Sequence, residues 1–111
     1  MKEIRAYVQP FMLPRIMQAL LEIDGFPGMS VTDCECFGRT RTGSGQDYTP
    51  FVRKKRLEIF APDHLVEIIL STLMREARTG QHGDGKVYMV DVAQGGRIRT
   101  GERGADLDGK R

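Results

Sequence analysis

Apolar and polar positions alternate in several short segments of the chain, which is the pattern of β-strands with one buried face. In the first such segment, Ile4, Ala6 and Val8 share one face. In the last one, both faces are apolar, so helices on one side of a sheet would leave a second face for another subunit to bury. The pattern predicts strands at residues 2–9, 29–38, 56–61 and 86–92.

Two other segments, residues 13–24 and 62–78, have the helical period of apolar positions. Each carries a stripe that we expect to be buried: Ile16, Met17, Leu20 and Ile23 in the first, and Leu65, Ile68, Ile69, Leu73 and Ala77 in the second. The element order predicts an α+β, ferredoxin-like βαββαβ domain, with two helices on one face of an antiparallel sheet. At 111 residues, the chain 1–111 is expected to be a single domain.

The remaining segments lack a clear period. Residues 39–53 are rich in Gly, Ser and Thr, which predicts a long loop, and basic residues make this loop positive. Residues 97–100 are interpreted as a short extended piece. The polar tail 104–111 is expected to be flexible.

Composition narrows the classes of function. A formal net charge of +2 is too small to indicate bulk nucleic-acid binding. The apolar runs are much shorter than the roughly 20 residues of a membrane span, and no secretion signal is evident, so we expect a cytoplasmic protein that is not itself a membrane protein. No set of nucleophile, base and orienting group is apparent, so an enzyme is not expected.

The glycine-rich segment at residues 79–86 contains most of a P-loop, because Gly80 is followed after four residues by Gly85 and Lys86. Val87 occupies the Mg²⁺-binding position, and the order is helix, loop, strand, which excludes a P-loop. The glycines could still form a backbone nest for an anion. A connector with solvated basic residues remains the alternative at this point.

Several motifs, in order, resemble the PII signal-transduction family. TGQHGDGKVYMVDV (79–92) and RIRTGE (97–102) are similar to its nucleotide-binding loop and the segment after its last core strand, and GMSVT (28–32) and CFGR (36–39) also match. The resemblance covers nearly the whole chain. It implies a homotrimer that binds ATP or ADP between subunits, where Mg²⁺ could accompany the nucleotide, and that regulates a partner protein such as a membrane transporter.

The resemblance also implies individual nucleotide-binding residues: Tyr7, Gly28, Met29, Ser30, Gly38, Arg39, Glu58, Phe60, Gly83, Asp84, Gly85, Lys86, Arg97 and Arg99. Among these, residues 83–86 would cradle the phosphates, assisted by Arg97 and Arg99. Residues 28–30 and Glu58 would lie near the adenine and ribose.

Residues 39–53 depart from the family pattern and resemble a shortened T-loop, the segment by which the family docks on its partners. Partner docking is assigned to Arg41, Tyr48 and Arg53, without dependence on modification of Tyr48. Thr40 replaces a glutamine that helps to bind an oxoacid effector in the family, whereas Lys54 matches the lysine that pairs with its carboxylate. The chain is therefore similar to a divergent member of the family.

A CutA-type trimeric metal-binding protein is the alternative, because its fold is similar. Cys34 and Cys36 would share one face of a strand and could bind a soft metal ion. A simpler interpretation is that both cysteines act as small buried hydrophobic residues. No metal site is assigned. The glycine and RIRT motifs favour nucleotide sensing, since metal binding needs neither.

Overall fold

The computed structural model describes residues 1–38, 49–105 and 107. Its strands and helices are β1 (Lys2–Val8), α1 (Leu13–Leu21), β2 (Ser30–Gly38), β3 (Thr49–Ala61), α2 (Asp63–Glu76), β4 (Gly85–Asp91), β5 (Gly95–Gly96) and β6 (Arg103–Gly104). A short 3₁₀ turn, Pro10–Met12, precedes α1. The element order confirms the predicted ferredoxin-like α+β class.

The main sheet has the strand order β2-β3-β1-β4, with antiparallel neighbours. Strand β1 therefore lies inside the sheet, where Ile4 pairs with Ile59 of β3 and with Met89 of β4. Strand β4 forms one edge. This register places the end of β1 at Val8 next to the start of β4 at Gly85.

The core lies between the sheet and the two helices. Its fully buried large side chains are Ile4, Ile16, Leu20, Leu57, Ile59, Pro62, Ile69 and Leu73. Two predicted core residues, Met17 and Ile68, are instead 42% and 49% exposed. Each helix meets the sheet along a narrower stripe than its apolar positions suggest, so these flanking residues face solvent.

The sequence also missed two buried positions on α2, Val66 and Thr72. The Thr72 hydroxyl donates a 2.7 Å hydrogen bond to the carbonyl of Ile68, which allows a polar side chain to lie in the core. Helix α1 ends at Leu21 rather than at residue 24. Gly25, with φ of +78°, lies in the turn that follows.

The predicted loop 39–53 is wrong over its last five residues, because β3 already begins at Thr49. Arg53 pairs with Glu35 of β2, and Lys55 forms an ion pair with Asp33. These residues have little apolar periodicity because cross-strand pairing between β2 and β3, rather than burial in the core, stabilises this part of the sheet. Residues 39–48 lie outside the described part of the chain.

The interpretation of residues 97–100 as an extended piece is also wrong. The N–H of Gly101 donates to the carbonyl of Arg97 at 2.8 Å, and the N–H of Arg97 donates to the carbonyl of Glu102 at 2.8 Å. Residues 97–102 therefore form the turn of the β5–β6 hairpin. Gly104, predicted to begin a flexible tail, pairs with Gly95.

Within the described residues, neither helix has the length and apolar character needed to cross a bilayer.

Candidate functional site

The glycine-rich loop joins α2 to β4 and depends on glycine at three points. Gly80, Gly83 and Gly85 have φ of +88°, +92° and +103°, a region that side-chain-bearing residues rarely adopt. At Gly85, a Cβ atom would lie 1.7 Å from the carbonyl oxygen of Tyr7. The chain can therefore make this close approach to β1 only with glycine.

Asp84 organises the loop from inside. Its carboxylate accepts hydrogen bonds from the N–H groups of Thr79 at 2.8 Å and Gly80 at 2.9 Å, and from the Thr79 hydroxyl. The Thr79 hydroxyl, together with these backbone donors, holds the pKa of the Asp84 carboxyl below its usual range. Asp84 thus ties the start of the loop to its end, and its predicted contact with phosphate stays a prediction.

Two lysines border the loop. Lys54, on β3, is only 8% exposed and donates a hydrogen bond from Nζ to the carbonyl oxygen of Gly83. Lys86 is exposed at the start of β4, beside Tyr7 in the sheet register. Lys54 therefore fastens the loop to the sheet, while Lys86 presents its charge to solvent at the end of the loop.

A cavity of about 440 Å³ adjoins the loop, and its lining includes Tyr7, Leu73, Arg78, Asp84, Lys86 and Tyr88. Arg78 brings a second cation to this cavity and was not among the predicted site residues. In the sequence it was only the last residue of a predicted helix. Its position beside β4 arises from the packing of α2 on the sheet, which no local pattern reports.

A second cluster lies where β2 and β3 meet. A cavity of about 300 Å³ is lined by Pro27, Gly28, Met29, Ser30, Glu58 and Phe60. Five of these were predicted as nucleotide-binding residues, and the structure brings all five together. Ser30 pairs directly with Glu58, whose carboxylate accepts a 3.2 Å hydrogen bond from Arg56.

The third cluster is the β5–β6 turn with its two arginines. Arg97 is half-buried, and its guanidinium donates a 2.8 Å hydrogen bond to the carbonyl of Leu107. Arg99 is exposed near the tip of the turn. The hairpin lies near the start of β1, since the N–H of Val92 donates to the carbonyl of Met1 at 3.3 Å.

The glycine loop and this hairpin follow opposite ends of β4. Gly85 pairs with Val8, at the end of β1, whereas Asp91 pairs with Lys2, at its start. Six residue steps of about 3.3 Å separate these ends by roughly 20 Å, which exceeds the span of a triphosphate. The structure therefore does not bring residues 83–86 together with Arg99 within one protomer.

The other predicted site residues lie on strands of the sheet or outside the described part of the chain. Tyr7 lies on the sheet face opposite the helices, where its ring meets Tyr88 edge to face at a centroid distance of 6.5 Å. Gly38 ends β2 opposite Thr49, and Arg53 is exposed on β3. Arg39, Thr40, Arg41 and Tyr48 lie outside the described residues.

Comparison with known proteins identifies the family. The family model described as "Nitrogen regulatory protein P-II" matches residues 1–102. The chain belongs to the P-II family. Proteins of this family are regulators rather than catalysts, so the chain is a PII-type signal-transduction protein, in keeping with the expectation that it is not an enzyme.

The matches to individual relatives cover nearly the full length of both chains. The Nitrogen regulatory protein P-II 1 of Escherichia coli (strain K12) is 43% identical over 107 residues, covering 92% of this chain and 95% of the relative. The Nitrogen regulatory protein P-II of Rhodospirillum rubrum is 40% identical over 111 residues, covering 96% and 98%. The range matched by the family model, residues 1–102, includes all three clusters of candidate site residues.

Proposed function

We propose that this P-II family member senses adenine nucleotide, binding ATP or ADP in clefts between the protomers of a homotrimer. The observation that carries the proposal is the separation of the glycine loop from the Arg97–Arg99 turn by the length of β4. Both segments are suited to phosphate, yet one protomer cannot apply both to the same ligand. A neighbouring protomer that brings its own turn to the loop would complete the site.

The chemistry of the loop suits a phosphate chain. With positive φ at Gly83 and Gly85, backbone N–H groups can line a concave surface, and no side chain at these positions obstructs an anion. Lys86 adds a charge at the end of the loop, and Arg78 lines the adjoining cavity. Arg99 of another protomer would contribute a planar guanidinium suited to paired phosphate oxygens. Mg²⁺ could accompany the phosphates.

The second cluster suits the nucleoside end. Phe60 offers an aromatic side chain, 43% exposed, and Glu58 offers carboxylate oxygens that can accept a hydrogen bond from the exocyclic amine of adenine. Gly28 leaves space beside them, because its φ is +118° and a Cβ at this position would meet no atom within 4 Å. These features support the assignment of adenine and ribose to the β2–β3 edge.

The sheet face opposite the helices supports trimer formation. Tyr88 and Val90 are 49% and 43% exposed there, which is unusual for apolar residues grouped on one strand. Between them and β3, Glu3 and Arg5 form a 2.8 Å ion pair, so these charges are already compensated. A second copy can therefore bury this face without isolating an unpaired charge.

The regulatory output is assigned to residues 39–53, which would dock on an acidic surface of a partner protein such as a membrane transporter. Arg53, exposed at the described end of this segment, and Arg41 supply positive charge. ATP and ADP would favour different conformations of the segment, by as much as their affinities for those conformations differ. The same proposal includes an oxoacid effector that contacts Lys54 and Thr40. It also places the protein in the cytoplasm.

The CutA-type alternative is not retained. The chain belongs to the P-II family. In addition, a metal-binding trimer would need none of the three site clusters.

Isothermal titration of ATP into wild type, Arg99→Ala and Arg103→Ala tests the proposal. A charge-assisted hydrogen bond contributes about 1.5–3 kcal/mol, so Arg99→Ala should weaken ATP binding by about tenfold or more. Arg103 lies in the same hairpin but donates to Gln94 at 3.1 Å, so Arg103→Ala is a matched control that should bind normally. Equal affinities in all three proteins would remove the hairpin from the nucleotide site.

A further inference from the structure

Two cysteine thiols lie side by side on β2. Cys34 and Cys36 project from the same face of the strand, and their Sγ atoms are 3.8 Å apart. Both side chains are half-buried, and the Cys34 thiol also points at the carbonyl of Lys54 at 3.7 Å. Neither cysteine belongs to the nucleotide clusters, so this pair has no role in the proposed function.

A disulfide does not fit this geometry. Residues two apart on an extended strand have Cα atoms about 6.6 Å apart, and their parallel Cβ atoms are separated by a similar distance. A disulfide requires Cβ atoms about 3.5–4.5 Å apart. Contracting the strand would break its pairing with β3, where Cys34 and Cys36 lie opposite Lys54 and Val52.

A bridging metal ion fits the same geometry without moving the backbone. In tetrahedral Zn²⁺ sites the Zn–S bond is about 2.3 Å, so two thiolates on one ion are about 3.8 Å apart. The Sγ atoms of Cys34 and Cys36 already have this spacing. Thiolate pairs also select soft ions such as Zn²⁺ and Cu⁺ over Mg²⁺ or Ca²⁺.

We propose that Cys34 and Cys36 form a two-thiolate site for a soft metal ion, with Zn²⁺ as its probe. Binding transfers both thiol protons to solvent and forms two metal–sulfur bonds. Among the described residues, no group of three His, Cys, Asp or Glu side chains could hold a metal ion together. Water or a small anionic ligand therefore fills the remaining coordination positions, which makes this an open site rather than a closed structural one.

The test is a Zn²⁺ titration against a chromophoric chelator, using wild type, Cys34→Ser, Cys36→Ser and the double variant, all without nucleotide. We expect one ion per chain in wild type. Each single variant should bind at least about tenfold more weakly, because the second thiolate no longer acts at high effective concentration. Thr32→Val, altered on the same face of the same strand, is the matched control and should retain wild-type affinity.

Cd²⁺ provides a second readout, because its bonds to thiolate produce an ultraviolet charge-transfer band. The band should appear in wild type, weaken in the single variants and vanish in the double variant. Circular dichroism verifies that each variant is folded. Zn²⁺ affinity that is unchanged in the double variant overturns the proposal. If the serine variants do not fold, absence of the Cd²⁺ band in wild type overturns it equally.

Discussion

Replacing Gly85 by alanine is the most specific perturbation of the glycine loop. The added Cβ would lie 1.7 Å from the carbonyl oxygen of Tyr7 and 2.8 Å from its carbonyl carbon. Both are backbone atoms of β1, so no side chain can rotate to make room. Gly80→Ala is a matched control, because Gly80 also has a positive φ, +88°, but a Cβ there meets nothing within 4 Å.

The two variants separate backbone strain from the clash. An alanine held at positive φ costs about 1–3 kcal/mol, and this cost applies to both positions. Gly85→Ala adds an overpacking cost of about 1–3 kcal/mol, because β4 must move away from β1. We therefore expect Gly85→Ala to lower the free energy of unfolding by about 2–6 kcal/mol, and Gly80→Ala by about 1–3 kcal/mol.

Urea unfolding of wild type and both variants, at one fixed protein concentration, measures the difference. The concentration must be matched because the stability of an oligomer depends on it. ATP titration on the folded variants should show the greater loss of affinity in Gly85→Ala, since its strand carries Lys86. If Gly85→Ala is no less stable than Gly80→Ala, the close approach of β4 to Tyr7 is wrong.

Three further predictions concern the loop, the assembly and the docking segment. Because the folded-state pKa of Asp84 is depressed, its contribution to stability is present above about pH 4 and is lost as the pH falls through the folded-state value. Urea unfolding should therefore show that the free energy of unfolding falls less steeply with decreasing pH in Asp84→Asn than in wild type. The same pH dependence in both proteins would contradict this. Light scattering should give the mass of a trimer at micromolar concentration, and a stable monomer would refute the role given to Tyr88 and Val90. Hydrogen exchange over residues 39–53 should differ between saturating ATP and saturating ADP, whereas equal protection with binding confirmed would exclude a nucleotide switch.

The fold class followed from the sequence because periods of two and 3.6 are local signals. The burial of residues at the edge of each helix's apolar stripe could not be predicted, since Met17 and Ile68 have the same apolar character as their buried neighbours. The start of β3 was also missed. Residues 52–55 pair with β2 through backbone hydrogen bonds, and such bonds leave no apolar pattern in the sequence.

The motifs and the family resemblance predicted the candidate site residue by residue, including the grouping of residues 28–30 with Glu58, but local patterns did not give the contacts that produce this grouping. Gly28, Ser30 and Glu58 meet because β2 and β3 pair in one particular register. Arg97 and Arg99 were placed on an extended segment, whereas the glycine at position 101, with φ of +77°, belongs to a turn that closes on Arg97. Such placements depend on contacts between distant residues, which a local pattern cannot report.

The measurement that tests the central claim most directly is complementation in mixed trimers. Lys86→Ala damages the loop and Arg99→Ala damages the hairpin, so trimers of either variant alone should bind ATP weakly. If a site takes its loop from one protomer and its turn from the next, each mixed trimer contains a single junction at which both are intact. Purified mixed trimers should then regain one site of wild-type affinity in ATP titration. Mixed trimers that recover no such site would contradict a nucleotide site shared between protomers.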